Sequence, residues 1–312
     1  MSEQSERWVY IDDPNVCNKA FGEVKYRATP SGDYEVSVIL MPGEEFPLPE
    51  RVMTALAIDG SRSMLKSFGA HLPPIMRKKG NKVQPVAQEM ASLLAAKADG
   101  STALAYWSCG PDGSDIEPVG ILNSQEISAY GFEGPTNWGT TTKLTPIVQY
   151  FWESVFADAQ TTCVAVIITD GAWEDEDHRQ LLDLTQCMCN QIAAGQRQLM
   201  KCVLLGWENE GNAAEIPRIN DRFNDLNNFD SGTEVDVWYH NWVNKLWNWN
   251  QLFIELVKNE TLPVGGRVLD ASGNTILTRD EFNFGIEFTL PSNSREFTLT
   301  LEGVDEYKQA IG

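Results

Sequence analysis

"MTALAIDGSRSML", Met53 to Leu65, sets the fold. An apolar stretch stops abruptly at Asp59, and Gly60, Ser61, Arg62 and Ser63 follow. Apolar character without alternation marks a strand buried on both faces. The carboxylate and two hydroxyls at its end admit two chemistries. Asp59-x-Ser61-x-Ser63 sets hard oxygen donors at alternate positions of a turn, where they can point at one metal ion. The same letters, Gly60-Ser61-Arg62-Ser63-Met64, approach the G-x-S-x-G elbow of a serine hydrolase.

Downstream, short apolar runs alternate with amphipathic ones. Val86, Met90, Leu93, Leu94 and Lys97 carry a helical stripe closed by Asp99-Gly100. Residues 102–108 and 117–122 are strand-like, joined by the turn-forming Gly110-Pro111-Asp112-Gly113. Leu144, Ile147, Val148, Phe151, Trp152 and Val155 fit a helix, and residues 163–169 a buried β-branched strand. Leu181, Leu184, Met188 and Ile192 make a helix stopped at Gly195. Residues 201–206 and 234–238 read as strands, and 241–258 as a last helix whose Trp242, Leu246, Trp249, Phe253 and Leu256 pack inward. Buried strands separated by helices predict an α/β fold, doubly wound around a mostly parallel sheet. Ligands of such sheets sit outside the carboxyl ends of the strands, where Asp59 and Asp170 both stand.

The flanks read differently. Residues 22–28 and 34–41 alternate around Ser31-Gly32-Asp33, a hairpin signal. Residues 266–269, 274–278, 282–290 and 295–301 are short strands punctuated by Gly, Asn, Ser and Pro. Neither flank holds enough strands alone. The expected organisation is therefore an N-terminal β-hairpin flank over 1–50, an α/β domain over 51–258, and a β-rich flank over 259–312. The two flanks are expected to pair into a smaller β-sandwich.

A net charge of −20 repels phosphate backbones and speaks against nucleic acid as a partner. No apolar run approaches the roughly 18 residues of a membrane span, and the N-terminus shows no hydrophobic signal core. Of the six cysteines, only Cys187 and Cys189 are close neighbours, without the second pair or histidines that zinc needs. Reduced thiols in a cytoplasm are the expectation.

Two further oxygen-bearing segments belong on Asp59's sheet edge: Gly139-Thr140-Thr141-Thr142-Lys143-Leu144 before a helix, and Thr169-Asp170-Gly171 at a strand end. Asp59-x-Ser61-x-Ser63, a Gly-Thr loop, then Thr169-Asp170-Gly171, in that order, resembles a von Willebrand factor type A domain and its metal-ion-dependent adhesion site. The resemblance spans roughly residues 51–258. It implies that Asp59, Ser61, Ser63, Thr142 and Asp170 hold Mg²⁺, with Mn²⁺ or Ca²⁺ as alternatives, and that Asp59 and Asp170 act directly or through water. Thr142 is preferred over Thr140 and Thr141, because Thr142-Lys143-Leu144 fits the register of the family's Gly-Gly-Thr-x-hydrophobic loop, although the double glycine is missing. It further implies a protein partner that presents Asp or Glu to the metal, no enzymatic activity, and bacterial settings beside AAA+ ATPases, kinases or stress-resistance systems.

The chain departs from the family at Arg62, and in the long segment 66–84 with Pro73-Pro74 and Arg77-Lys78-Lys79. That segment is a solvated loop or a partner-shaping surface. The runner-up function is a metal-assisted or serine hydrolase using Ser61. Met64 is too large for a tight elbow, and His178 lies too near Asp170 for the usual late histidine. A haloacid-dehalogenase-like phosphatase would want an Asp at Ser61. A structural module with a vestigial site is the third reading. Glu174-Asp175-Glu176-Asp177 reads as a helix first turn, His71 and His240 as structural or exposed, and Asn259-Glu260-Thr261 as an uninformative sequon.

Overall fold

The computed structural model describes residues 8–11, 13, 15–42, 52–73, 76–77, 80–171, 173–209, 211–246, 248–258, 260–304 and 306–312. Pro74, Lys78, Lys79 and Asn259 of the segments singled out above lie outside them. The chain forms two compact units, Glu50–Leu246 on one side and Met1–Pro49 with Trp247–Gly312 on the other.

The second of these begins with β1 (Val9–Tyr10), β2 (Phe21–Ala28) and β3 (Tyr34–Leu40), the last two an antiparallel hairpin. Gly32 sits in its turn at φ 91°, where a side chain would be strained.

In chain order, Glu50–Leu246 then contains β4 (Met53–Asp59), α1 (Val83–Lys97), β5 (Ser101–Cys109), β6 (Asp115–Asn123), α2 (Ser124–Ala129), α3 (Thr145–Tyr150), β7 (Cys163–Thr169), α4 (Asp175–Ala193), β8 (Met200–Gly206), α5 (Ile216–Asn227) and β9 (Trp238–Trp242). The sheet order is β6-β5-β4-β7-β8-β9. Every pairing is parallel except β5 with β6. β6 is an edge strand and tolerates Pro118 and an exposed Ile121 for that reason.

Both faces of β4 are buried. Ala55 and Ala57 join the core that includes Leu144, Phe151, Leu181 and Phe223. Thr54, on the opposite face with Leu56 and Ile58, donates its hydroxyl to Leu94 O of α1 at 3.2 Å. Helices therefore cover both sides, as continuous apolar strands require. The winding reverses between β4 and β7, which are neighbours in the sheet although β5 and β6 intervene in sequence. Such a switch point opens a crevice outside the carboxyl ends of the two strands. Asp59 ends one of them and Asp170 follows the other.

The remaining strands are β10 (Thr261–Leu262), β11 (Gly266–Asp270), β12 (Thr275–Arg279), β13 (Phe282–Asn283), β14 (Gly285–Leu290), β15 (Glu296–Leu301) and β16 (Glu306–Ala310). They and β1–β3 form antiparallel sheets β1-β2-β3-β14 and β12-β11-β15-β16, plus the pair β10-β13. β14 pairs with β3 from Gly285↔Ile39 to Leu290↔Tyr34, so both ends of the chain share one sheet. Phe21, Val36 and Val38 of one sheet share a core with Val268, Phe297 and Leu299 of the other.

Two expectations fail. The expected helix over 241–258 is broken: β9 runs to Trp242, 3-10 turns follow at Val243–Lys245 and Trp249–Phe253, and only α6 (Ile254–Val257) is α-helical. Asn241 and Trp242 pair with Leu205 and Gly206 of β8 instead, and further on Asn248 is extended (φ −149°, ψ 126°), its side chain accepting the Asn250 N–H in place of a helical carbonyl. The strand expected over 234–238 lies later, at Trp238–Trp242.

Candidate metal centre

The chain leaves β4 at Asp59 and turns at once, because Gly60 lies against Pro135, Cys109 and Trp107 with no room for a side chain. The Gly60 N–H donates to Trp107 O at 2.7 Å. Ser61 forms a parallel bridge with Gly139, fastened by Arg62 N to Gly139 O at 2.9 Å and Gly139 N to Gly60 O at 2.9 Å. The first loop and the Gly-Thr loop are thus laced together through their backbones. Met64 is fully buried under the turn, while Arg62 is exposed.

The five candidate oxygen donors fall on the three loops at this edge. Asp59 is completely buried; its Oδ1 accepts the Ser61 N–H at 2.7 Å and its Oδ2 accepts the Thr169 hydroxyl at 2.7 Å. The Ser61 and Ser63 hydroxyls lie 2.8 Å apart. Ser63 donates to Asp170 Oδ1 at 2.6 Å. Ser63 is exposed, so the cluster opens to solvent on its side. The three threonines part company. Thr140 donates to Pro111 O at 2.5 Å and Thr141 to Asp112 O at 2.8 Å, away from the cluster. Thr142 has no hydrogen-bond partner among the described residues, and its Oγ1 stands 3.1 Å from where a Cβ on Gly171 would be.

Sequence reasoning missed Asn209 and Asn212. Asn209 Nδ2 donates to Asp170 Oδ2 at 2.7 Å, and Asn212 Nδ2 donates to Asp170 O and Trp207 O at 2.7 and 2.8 Å. Both follow β8, whose end abuts that of β7. An amide just beyond the next strand end was the available signal.

Burial, then the neighbouring charge of Asp170, pushes the Asp59 carboxyl up to about 7, against the pull of its hydrogen bonds from Ser61 and Thr169. Burial likewise raises Asp170, although Ser63 and Asn209 donate to it. Two adjacent buried carboxylates without a cationic side chain among the described residues leave negative charge uncompensated. The donor set is all oxygen, with no histidine or thiol. Such a set fits a hard divalent cation such as Mg²⁺.

Switch-point sheet and oxygen-bearing loops together define a class: Glu50–Leu246 resembles a von Willebrand factor type A domain with the loops of a metal-ion-dependent adhesion site. No family model matches the sequence, and no curated protein sequence matches it. Similar solved structures include an aerotolerance-related membrane protein from Bacteroides fragilis NCTC 9343, 18% identical, covering 50% of this chain and 67% of that one at a TM-score of 0.33. The SpRpn10 VWA domain is 10% identical over 66% of this chain and 95% of that one, at a TM-score of 0.37. Proximal thread matrix protein 1 from the mussel byssus, with its MIDAS motif occupied by zinc, is 11% identical over 71% of this chain and 48% of that one, at a TM-score of 0.36. The resemblance is carried by the strand order and the loops, not by these overlays.

Proposed function

We propose that Glu50–Leu246 is a divalent-metal-dependent protein-binding module. The observation that carries this is the pair Asp59 and Asp170, buried side by side at the switch point with only hydroxyl and amide donors around them. Asp59, Ser61, Ser63, Thr142 and Asp170 would hold Mg²⁺. A bound divalent ion supplies a fixed positive centre able to take an anionic oxygen. With one of Asp59 and Asp170 bound directly and the other through water, the neutral hydroxyls leave positive charge on the ion, which can then accept a further anionic oxygen. The exposed Ser63 side is where a partner's Asp or Glu would enter.

The same reading places the two flank sheets in a small sandwich, the chain in a cytoplasm with its cysteines reduced, and its partners among protein assemblies such as AAA+ or stress-resistance systems. A serine hydrolase is the weaker reading. It needs a base on Ser61, and among the described residues the Ser61 hydroxyl meets Ser63 and no histidine. His178 is occupied elsewhere, accepting from Trp173 Nε1 at 3.1 Å.

Calorimetric titration of Mg²⁺ and Mn²⁺ into the wild type and Asp59→Ala tests the proposal, with circular dichroism as fold control. Saturable uptake by the wild type and none by a folded Asp59→Ala is expected. A wild type that takes up neither ion, alone or with a carboxylate-bearing partner, would count against it.

A further inference from the structure

We propose that Asp177 is a positioning residue for the oxygen site, clamping the 142–145 loop so that the Thr142 hydroxyl stays beside the Asp170 loop. The proposal rests on the metal-binding reading above. Acids in the first turn of a helix ordinarily face solvent and complement that helix's own dipole. Two neighbours do so: exposed Asp175 pairs with Arg222, and exposed Glu176 with Arg179. Asp177 is 5% exposed and has no ion-pair partner among the described residues. Its Oδ2 accepts the Leu144 N–H at 2.6 Å, and its Oδ1 lies 3.3 Å from the Thr145 N–H. Thr145 returns a bond from its hydroxyl to Asp177 O at 2.9 Å. The carboxylate therefore caps α3, a different helix, whose own N-cap residue Leu144 can offer no side-chain acceptor.

The consequence reaches the site because of what stands on each side of the clamp. Asp177 lies in the first turn of α4, which follows the Asp170 loop, and Leu144 lies directly after Thr142 and Lys143. Of the five candidate donors, Thr142 alone makes no hydrogen bond of its own among the described residues, so its hydroxyl is placed by backbone alone. Thr140 and Thr141 fix that backbone on the upstream side, through Pro111 and Asp112. Asp177 fixes it on the downstream side, and it does so from the very segment that carries Asp170. One buried carboxylate thus sets the spacing between two oxygen donors it does not touch.

The test is Mg²⁺ titration of the full chain with Asp177→Ala, Asp177→Asn, Thr142→Ala and the double variant Asp177→Ala/Thr142→Ala, each also melted without metal. Groups that orient metal ligands typically contribute about 10- to 100-fold in metal affinity, and a loss in that range is expected for Asp177→Ala. Asp177→Asn, which keeps one acceptor oxygen, should recover part of it. Adding Asp177→Ala to Thr142→Ala should cost no further affinity, because the clamp acts through Thr142. An Asp177→Ala protein that melts lower yet binds Mg²⁺ like the wild type overturns the proposal, as do additive losses in the double variant. Should Asp177→Ala fail to fold, wild-type affinity in Asp177→Asn overturns it instead. A wild type that takes up neither Mg²⁺ nor Mn²⁺, alone or with a carboxylate-bearing partner, overturns both the clamp and the metal reading, whereas normal uptake by wild type and Asp177→Ala alike removes only the clamp.

Discussion

Asp59 costs the metal-free protein stability and gives the site its pH response. Its carboxyl titrates near 3.8 in an unfolded chain and is pushed up to about 7 in the folded one, chiefly by burial. Between those values the folded state holds a proton that the unfolded state has released. The stability this group contributes is full below 3.8 and is lost as pH rises through 7, a change of a few kcal/mol. A bound cation reverses the balance, because it favours the ionised carboxylate and must displace the proton below 7. Mg²⁺ affinity is therefore expected to be level above pH 7 and to fall about tenfold per unit below it. Titrations between pH 6 and 8 in two buffers of different ionisation enthalpy should count one proton released at the low end. A flat profile would mean that Asp59 is already ionised in the folded state. Asp59→Asn supplies the control: it should bind no divalent ion, yet its metal-free melting temperature at pH 8 should exceed that of the wild type.

The Gly-Thr loop shows how backbone geometry, more than side-chain chemistry, builds the site. A Cβ on Gly139 would stand 1.8 Å from Ser108 O, so only glycine lets the loop reach the end of β5 and bridge to Ser61. Ser108 itself sits at φ 57°, a left-handed conformation that costs a serine about 1 kcal/mol. Its hydroxyl offsets that strain by donating to Thr141 O at 2.6 Å. Gly139→Ala should therefore destabilise the protein by about 3 kcal/mol, at the upper end of overpacking effects, and weaken Mg²⁺ uptake with it. Urea unfolding and titration of the same sample check both, and unchanged Mg²⁺ affinity would show that the loop does not position a ligand. Ser61 and Ser63 were legible in the sequence because they follow a strand end, and the Gly139–Thr142 loop because it precedes a helix. The sheet was legible for a similar reason: β4, β7 and β8 are unbroken apolar runs. Asn209, Asn212 and Asp177 were not, since their roles arise only when β8 lies beside β7 and α4 beside α3. The false helix over 241–258 came from apolar residues at helical spacing, which Asn248 overrides locally. β16 was missed because an inward position is the polar Gln309, which is buried and accepts the Asn18 N–H at 2.7 Å.

The chain passes between its two units twice, after Pro49 and after Leu246, and each unit has a core of its own. The unit built from both chain ends is held by long-range pairing, β3 with β14, so neither end completes that sheet alone. The oxygen donors all lie within Glu50–Leu246. A ligand that binds only the folded form of one unit stabilises that unit by mass action, about 2.7 kcal/mol at a hundredfold excess over Kd. For a unit of this size the shift amounts to about 5–10 °C. Scanning calorimetry of the full chain should thus show two transitions, of which Mg²⁺ raises one and leaves the other in place. Excised Glu50–Leu246, melted alone, identifies the one that moves. A single transition shifting as a whole would show instead that the two units unfold together, and that occupancy of the metal site is felt by the paired chain ends.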